Sequence, residues 1–318
     1  MKKKIAIGVL AYDVEKYIEQ VLTDLSQTKE QLYVIDDSSN DNTLEILENF
    51  QPKVPMKIIR NKKNIGAGAS TRKLIEVAKS DGYDMILKVD GDGQFIIQDV
   101  IKILDIASKN NYKYIKSNRF WEGGIKGNIP KKRFFGNLLA TMFLQVTTGT
   151  NKLYDPLNGL FAISTSVISD TNFKYYPKRY GYPYYFSVSA IINGYETYQI
   201  NNVVIYNDQS SNLRSTIVLF TIIKLSIIYY FKKIKIKKNI GLYQRSAFLD
   251  LTFIISFILT FYLLIQLIYT VYFANVVLIR SGNLLIILIF SILFNIFIFI
   301  ASFKEEKSIR NTYINSEN

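Results

Sequence analysis

Two long apolar runs near the C-terminus constrain this chain more than any other feature. Phe248 to Ala274 is apolar apart from Asp250 near its start and a few uncharged polar residues, and Leu284 to Phe303 is a second such run. Each reaches the roughly 20 residues that cross about 30 Å of hydrocarbon. Soluble folds rarely bury helices that long without charge. The connector, Asn275 to Asn283, carries Arg280 as its only charged residue. The expected structure is a helical hairpin with both ends on one side of a membrane. Lys232-Lys233-Ile234-Lys235-Ile236-Lys237-Lys238 precedes the hairpin, and Lys304 and Lys307 follow it. The excess of lysine at these ends assigns both termini, and everything upstream, to the cytoplasmic side of an inner or plasma membrane. The basic N-terminus, Met1-Lys2-Lys3-Lys4, leads into no long apolar stretch, so no cleavable signal peptide is expected. Ile217 to Phe231 is apolar but short and interrupted by Lys224, and reads as a helix lying at the membrane surface. The lysine run after it would attract anionic headgroups.

Upstream, strand-like and helix-like segments alternate, the pattern of an α/β domain with a mostly parallel central sheet. Strands are expected at Ile5–Leu10, Leu32–Ile35, Lys57–Arg60, Met85–Val89 and Tyr114–Ser117. Helices are expected at Val14–Ser26, Thr43–Phe50 and Ala69–Ala78. The organisation is then a soluble domain over 1–213, a juxtamembrane helix and basic linker over 214–245, a transmembrane hairpin over 246–304 and a cytoplasmic tail over 305–318. The hairpin leaves surface for neighbouring copies, so a homo-oligomer is compatible with the sequence.

Ligands of open α/β sheets sit outside the carboxyl ends of the strands. Asp13, Asp36, Asp37, Asn64, Asp90, Asp92 and Arg119 all lie just after such ends. The fourth strand delivers Lys88-Val89-Asp90-Gly91-Asp92-Gly93-Gln94. Two carboxylates and an amide oxygen, Asp90, Asp92 and Gln94, form a hard-oxygen set suited to Mg²⁺ or Mn²⁺ carrying a diphosphate. The chain has no Cys, hence no disulfide or thiol chemistry, and no His, so a proton must move through a carboxylate, Lys, Tyr or water. The Gly66/Gly68 turn lacks a P-loop Lys-Ser/Thr and does not follow the first strand, which excludes a P-loop NTPase and a dinucleotide-binding domain. The net charge of +13 raises nucleic acid as a partner, but the basic run sits against the membrane hairpin, so no nucleic-acid partner is expected.

These segments together resemble the family 2 inverting glycosyltransferases of GT-A fold. The residues that carry the resemblance are Val9-Leu10-Ala11-Tyr12-Asp13, the run Val34-Ile35-Asp36-Asp37-Ser38-Ser39-Asn40-Asp41-Asn42-Thr43, Asn64-Ile65-Gly66-Ala67-Gly68 and Val89-Asp90-Gly91-Asp92-Gly93-Gln94. Asp155-Pro156-Leu157-Asn158-Gly159-Leu160 is similar to a later family motif, and Tyr206 to Leu213 to the segment closing the acceptor side. With the hairpin, the chain resembles the polyprenyl-phosphate glycosyltransferases, such as dolichol-phosphate mannose synthase and bacterial membrane-anchored glucosyl carriers. The chain departs from the family pattern at Leu10, Asp13 and Val14, where Pro, Asn and Glu are usual, with Glu15 standing in for the acid. The Tyr-rich segment Arg179 to Ser187 lacks the acidic residue many relatives carry there.

The resemblance implies a donor site of Ala11, Tyr12, Asp13, Glu15, Asp36, Asp37, Asn64, Gly66, Asp90 and Gly91. It implies a metal held by Asp90, Asp92 and Gln94, and an acceptor phosphate held by Arg119, Arg133 and Ser211. The implied reaction moves a sugar from a UDP- or GDP-sugar to polyprenyl phosphate, such as undecaprenyl or dolichyl phosphate. A phosphate monoester is largely ionised at pH 7 and attacks without a base, whereas a sugar hydroxyl needs one. One alternative is transfer to a hydroxyl of a glycolipid or polysaccharide precursor, with Asp155 as base. Another is a non-catalytic nucleotide-sugar-binding membrane subunit.

Overall fold

Short apolar runs ending in acidic or amide residues set the architecture. The computed structural model describes residues 3–170, 173–206, 215–239, 244–272 and 278–316, and divides into two compact units, Met1–Tyr229 and Tyr230–Asn318.

The first unit opens with β1 (Ile5–Ala11), α1 (Ile18–Leu25), β2 (Gln31–Asp36), α2 (Thr43–Asn49), β3 (Met56–Arg60), α3 (Ala67–Ser80) and β4 (Met85–Asp90). It continues with α4 (Ile97–Lys109), β5 (Tyr114–Asn118), β6 (Ile125–Gly127), α5 (Lys131–Thr148), β7 (Phe161–Ser164) and α6 (Val167–Asp170). Then come α7 (Tyr182–Ile192), β8 (Thr197–Asn201), β9 (Val204–Tyr206) and α8 (Ser215–Asn239). Among the described residues seven strands form one sheet in the order β3-β2-β1-β4-β7-β5-β8, and β6 pairs with β9 in a small second sheet. All neighbours in the large sheet are parallel except β7, which runs antiparallel between β4 and β5. The expected mostly parallel α/β sheet is therefore present, with β7 as an addition the sequence did not announce.

The central strands are buried on both faces, β1 along its whole length, which is why they read as continuous apolar runs. One core lies beneath α1 and α4, built on Ile7, Val9, Leu22, Leu87 and Ile103. The other lies beneath α3, α5 and α7, built on Leu74, Tyr114, Phe161, Tyr185 and Phe186. The first half of α8 joins this second core through Val218, Ile222, Leu225 and Tyr229. The helix expected at Ile217–Phe231 thus packs on the α/β unit along one face. Its other face leaves Ile217 and Phe220 bare.

The second unit holds the end of α8, then α9 (Gln244–Tyr272) and α10 (Leu278–Ser316). Among the described residues two segments are long and apolar enough to cross a membrane, Ser246–Val271 and Asn283–Glu305. Helix α10 begins inside the expected connector. The two helices pack side by side and pair some of their polar groups with each other. Ser256 Oγ donates to Asn295 Oδ1 at 2.9 Å, and Asn295 Nδ2 donates to Thr260 Oγ1 at 2.6 Å. Asp250 is 2% exposed and accepts from Lys237 Nζ at 2.7 Å and Ser302 Oγ at 2.6 Å, with Lys233 Nζ at 3.6 Å. Two lysines of the basic run are therefore turned inward to this carboxylate. That leaves Lys235 the exposed one among Lys233, Lys235 and Lys237.

Candidate functional site

Parallel strands deliver their carboxyl ends to one edge of the sheet. Leu10 stands opposite Asp90, and Ala11 opposite Asp36, so the ends of β1, β2 and β4 are level. Beyond that edge the loops tie themselves together with their own acids. Asp13 adopts φ 50° and accepts from Asn40 N at 2.7 Å, while its own N–H donates to Ser39 Oγ at 3.1 Å. The Glu15 carboxylate accepts from Asn42 N at 3.0 Å, and the Glu15 N–H donates to Asp41 Oδ2 at 3.0 Å. Asp37 is almost wholly enclosed. Its Oδ1 accepts from Asn61 Nδ2 at 2.8 Å and Ile65 N at 2.9 Å, and its Oδ2 from Gly66 N at 2.8 Å.

These bonds change the reading of several expected donor contacts. Asp37 organises the Asn64–Gly66 turn. Gly66 gives its N–H to Asp37 and packs beneath Lys178 and Arg179, where its φ of 94° and lack of a Cβ are both required. Asp13 and Glu15 lace the β1 loop to the β2 loop. Two atoms are left over. Asp36 Oδ2 and Asn64 Oδ1 are buried with no hydrogen-bond partner, a state that native proteins seldom leave unfilled. Tyr12 beside them is 39% exposed. Ala11 is buried, and Gly91 donates its N–H to Leu10 O at 2.8 Å, so both shape the floor.

Asp90, Asp92, Gln94, Arg119 and Arg133 line one cavity of about 510 Å³. Its far wall is apolar, with Phe135 and Leu139 from α5 and Val218, Leu219 and Ile222 from α8. Asp92 Oδ1 accepts from Gln94 N at 3.1 Å. Loss of hydration, reinforced by the negative charge of Asp90, pushes the Asp92 carboxyl up to about 7. Two crowded carboxylates with an amide beside them fit a hard divalent cation. Among the described residues no third acid joins them, so the remaining ligands of such an ion would be phosphate oxygens and water.

Arg119 is fixed in place. Its Nε and N–H donate to Asp155 Oδ2 at 2.7 and 3.0 Å, Nη2 donates to Oδ1 at 3.1 Å, and Nη1 donates to the Tyr206 hydroxyl at 2.7 Å. Asp155 has no exposed surface and also accepts from Asn158 Nδ2 at 3.1 Å. The carboxylate expected as a base for a hydroxyl acceptor thus has both oxygens engaged, by the Arg119 guanidinium and backbone and by the Asn158 amide. Arg119 presents its remaining edge to the cavity, and Arg133 stands over the Tyr206 ring at 5.9 Å. Ser211, expected beside them, lies outside the described residues.

Two site residues escaped the sequence reading. Lys88 is 1% exposed and ion-paired with Asp90, and Lys116 is fully buried with its Nζ donating to Asn158 O. Burial opposes the charge on Lys88, but Asp90 and Tyr182 push it up to about 12; burial lowers Lys116 well below the usual lysine range. Both oppose Phe161 of β7, so they share one face of the sheet. A lysine inside an apolar strand was the available signal. A second cleft of about 740 Å³, lined by Lys3, Asp84, Lys113 and Glu196, lies at the amino ends of the parallel strands, the edge that open α/β sheets do not use for ligands.

The glycosyl transferase family 2 model matches residues 6–171. A UDP-N-acetylglucosamine–dolichyl-phosphate N-acetylglucosaminyltransferase from Methanococcus voltae is 25% identical over 56% of this chain and 76% of its own length. A dolichol-phosphate mannosyltransferase from Pyrococcus furiosus is 24% identical over 52% of this chain and 47% of its own. Among solved structures, glucosyl-3-phosphoglycerate synthase from Mycobacterium tuberculosis, in complex with Mn²⁺, UDP and glucosyl-3-phosphoglycerate, shares the fold. Its TM-score is 0.55 at 14% identity, over 70% of this chain and 80% of that one.

Proposed function

This chain belongs to glycosyl transferase family 2, and from that membership we propose that it transfers a sugar, with inversion, from a UDP- or GDP-sugar to a polyprenyl phosphate at the cytoplasmic face of a membrane. The observation that carries the reading is one cavity holding Asp90, Asp92 and Gln94 together with Arg119 and Arg133, walled by apolar side chains of α5 and α8. Acids at one end suit a metal-bound diphosphate, and arginines suit a second phosphate. The apolar wall suits the isoprenoid chain, and the dolichyl-phosphate relatives favour the same acceptor class.

In this reading Tyr12 stacks on the nucleobase, and Asp36 Oδ2 and Asn64 Oδ1 take the hydrogen bonds they lack. Asp92 and Gln94, with Asp90, hold Mg²⁺ or Mn²⁺, which offsets the charge growing on the leaving diphosphate. Arg133 and the free edge of Arg119 hold the acceptor phosphate in line. Asp155 and Tyr206 position Arg119. The acceptor is already anionic at neutral pH, so the reaction proceeds without a base. That suits a cavity in which Asp155 is tied to Arg119. The hairpin α9–α10 anchors the enzyme, with both termini cytoplasmic, and the bare face of α8 rests at the membrane surface.

The test is a transfer assay with purified full-length protein, Mn²⁺ or Mg²⁺, polyprenyl phosphate and a panel of labelled UDP- and GDP-sugars. A labelled, organic-soluble, mild-acid-labile product that disappears with Asp92→Asn is expected. Donor consumption without lipid product, or transfer to a hydroxyl acceptor only, would overturn the polyprenyl assignment.

A further inference from the structure

Lys88 is a buried charge bonded directly to the acid pair, yet it touches no proposed substrate. It grows from the central strand β4, is 1% exposed and ends on Asp90 Oδ1. Its Nζ lies 5.5 Å from the centroid of the Tyr182 ring. The other Asp90 oxygen rests against Gly159, where a Cβ would stand 2.1 Å from it. Asp90 is gripped from both sides. Taking an ammonium group out of water is unfavourable, and an apolar residue would fill this strand position without that penalty, so the charge calls for a reason.

We propose that Lys88 is a counter-charge that stops the Asp90–Asp92 pair from capturing a divalent cation alone and makes metal binding depend on the nucleoside diphosphate. The inference rests on the nucleotide-sugar reading of the site. With Lys88 paired to Asp90, the local charge facing an ion is that of one carboxylate rather than two. Among the described residues no third acid adds to it. A hard cation in such a site gives up little of its water. The diphosphate brings both the missing oxygens and the missing negative charge. Ion and nucleotide then tighten each other by the same factor, as linkage requires. Lys88 is a positioning residue acting through Asp90. Removing its charge at constant volume restores a full unit of negative charge a few ångströms from the ion. Even with the screening of bulk water this changes metal affinity by at least about ten-fold, and by more at the lower effective dielectric of a buried site.

The experiment measures free Mn²⁺ by electron paramagnetic resonance over full-length protein in detergent micelles, alone and with UDP or GDP. The wild type is expected to bind Mn²⁺ at least ten-fold more tightly with nucleotide than without. Lys88→Met is expected to bind Mn²⁺ alone at least ten-fold more tightly than wild type and to show a smaller nucleotide effect. Lys88→Arg, which keeps the charge, should behave as wild type. A folded Lys88→Met protein, checked by thermal unfolding, that binds Mn²⁺ alone no better than wild type would overturn the proposal. Wild-type protein that binds Mn²⁺ equally well with and without nucleotide would overturn it without any variant. If neither UDP nor GDP binds the wild type in the presence of Mn²⁺, the nucleotide-sugar reading falls and takes this inference with it.

Discussion

Replacing Gly159 by Ala tests the site geometry with one methyl group. Gly159 is outside the positive-φ glycines, so alanine suits its backbone and the added Cβ is the whole perturbation. That Cβ would stand 2.1 Å from Asp90 Oδ2, 3.3 Å from Asp90 Cγ and 3.2 Å from Lys88 Nζ. A carbon–oxygen contact relaxes to about 3.2 Å, so the Asp90 carboxylate must retreat by about 1 Å; it is short and already held by Lys88. A misplacement of that size at a reacting centre lowers turnover by about 10²-fold, equivalent to about 2.7 kcal/mol of barrier. The assay is labelled-sugar transfer to polyprenyl phosphate at saturating Mn²⁺, with thermal unfolding in parallel. The expected result is a fall in kcat of about two decades with a modest loss of stability, roughly 1–3 kcal/mol from overpacking. A Gly159→Ala enzyme turning over within three-fold of wild type would refute the placement of Asp90 at the reacting centre.

Asp155→Asn leaves Arg119 buried without its carboxylate and is expected to destabilise the α/β unit by about 3–5 kcal/mol, read as a lowered Tm; lost kcat at an unchanged Tm would instead restore Asp155 as a base. Because burial and Asp90 raise the Asp92 carboxyl to about 7, Mn²⁺ must displace a proton below that pH. Apparent Mn²⁺ affinity should therefore rise with pH and level off above about 7. The metal-free protein should lose stability over the same climb from the ordinary carboxylate range, because the folded state holds the extra proton there. Gly136, on α5 with nothing within 4 Å of its added Cβ, should tolerate Ala with a gain of up to about 1 kcal/mol from helix propensity, measured by thermal unfolding. Asn295→Ala removes the partner of Ser256 and Thr260 and should weaken α9–α10 packing by about 0.6–1.7 kcal/mol, read as earlier dissociation of the hairpin in a denaturing-detergent titration.

What the sequence made legible was local. The strands β1 to β5 lie within a residue of their expected bounds, because each is an apolar run closed by a polar residue. Strand β7 was not visible: Phe161-Ala162-Ile163-Ser164 is four residues long, and its antiparallel place between β4 and β5 is set by partners far away in the chain. Strands β6 and β9 are three residues each and carry no periodicity. The motif acids did gather at one sheet edge, since strand direction alone places them. Their partners were not legible. Nothing around Asp155 announces Arg119, and nothing around Asp37 announces Gly66, because those bonds span distant segments. Lys88 and Lys116 were hidden differently, as charges inside strands whose apolar neighbours dominated the pattern.

The polar ladder of the hairpin has a consequence for the membrane anchoring proposed above. Ser256, Thr260 and Asn295 turn toward the partner helix, and the outer surface of α9 and α10 is mainly apolar, with Tyr262 and Gln266 bonded to each other on it. In a bilayer the pair is therefore less polar than either helix by itself. A ribosome-bound chain that has released only the first helix carries Ser256 and Thr260 without their Asn295 partner until the second helix arrives. With the hairpin spanning the membrane as proposed above, integration is favoured for the two helices as one object, and a chain cut after Tyr272 would be held in the membrane less firmly than its apolar length suggests.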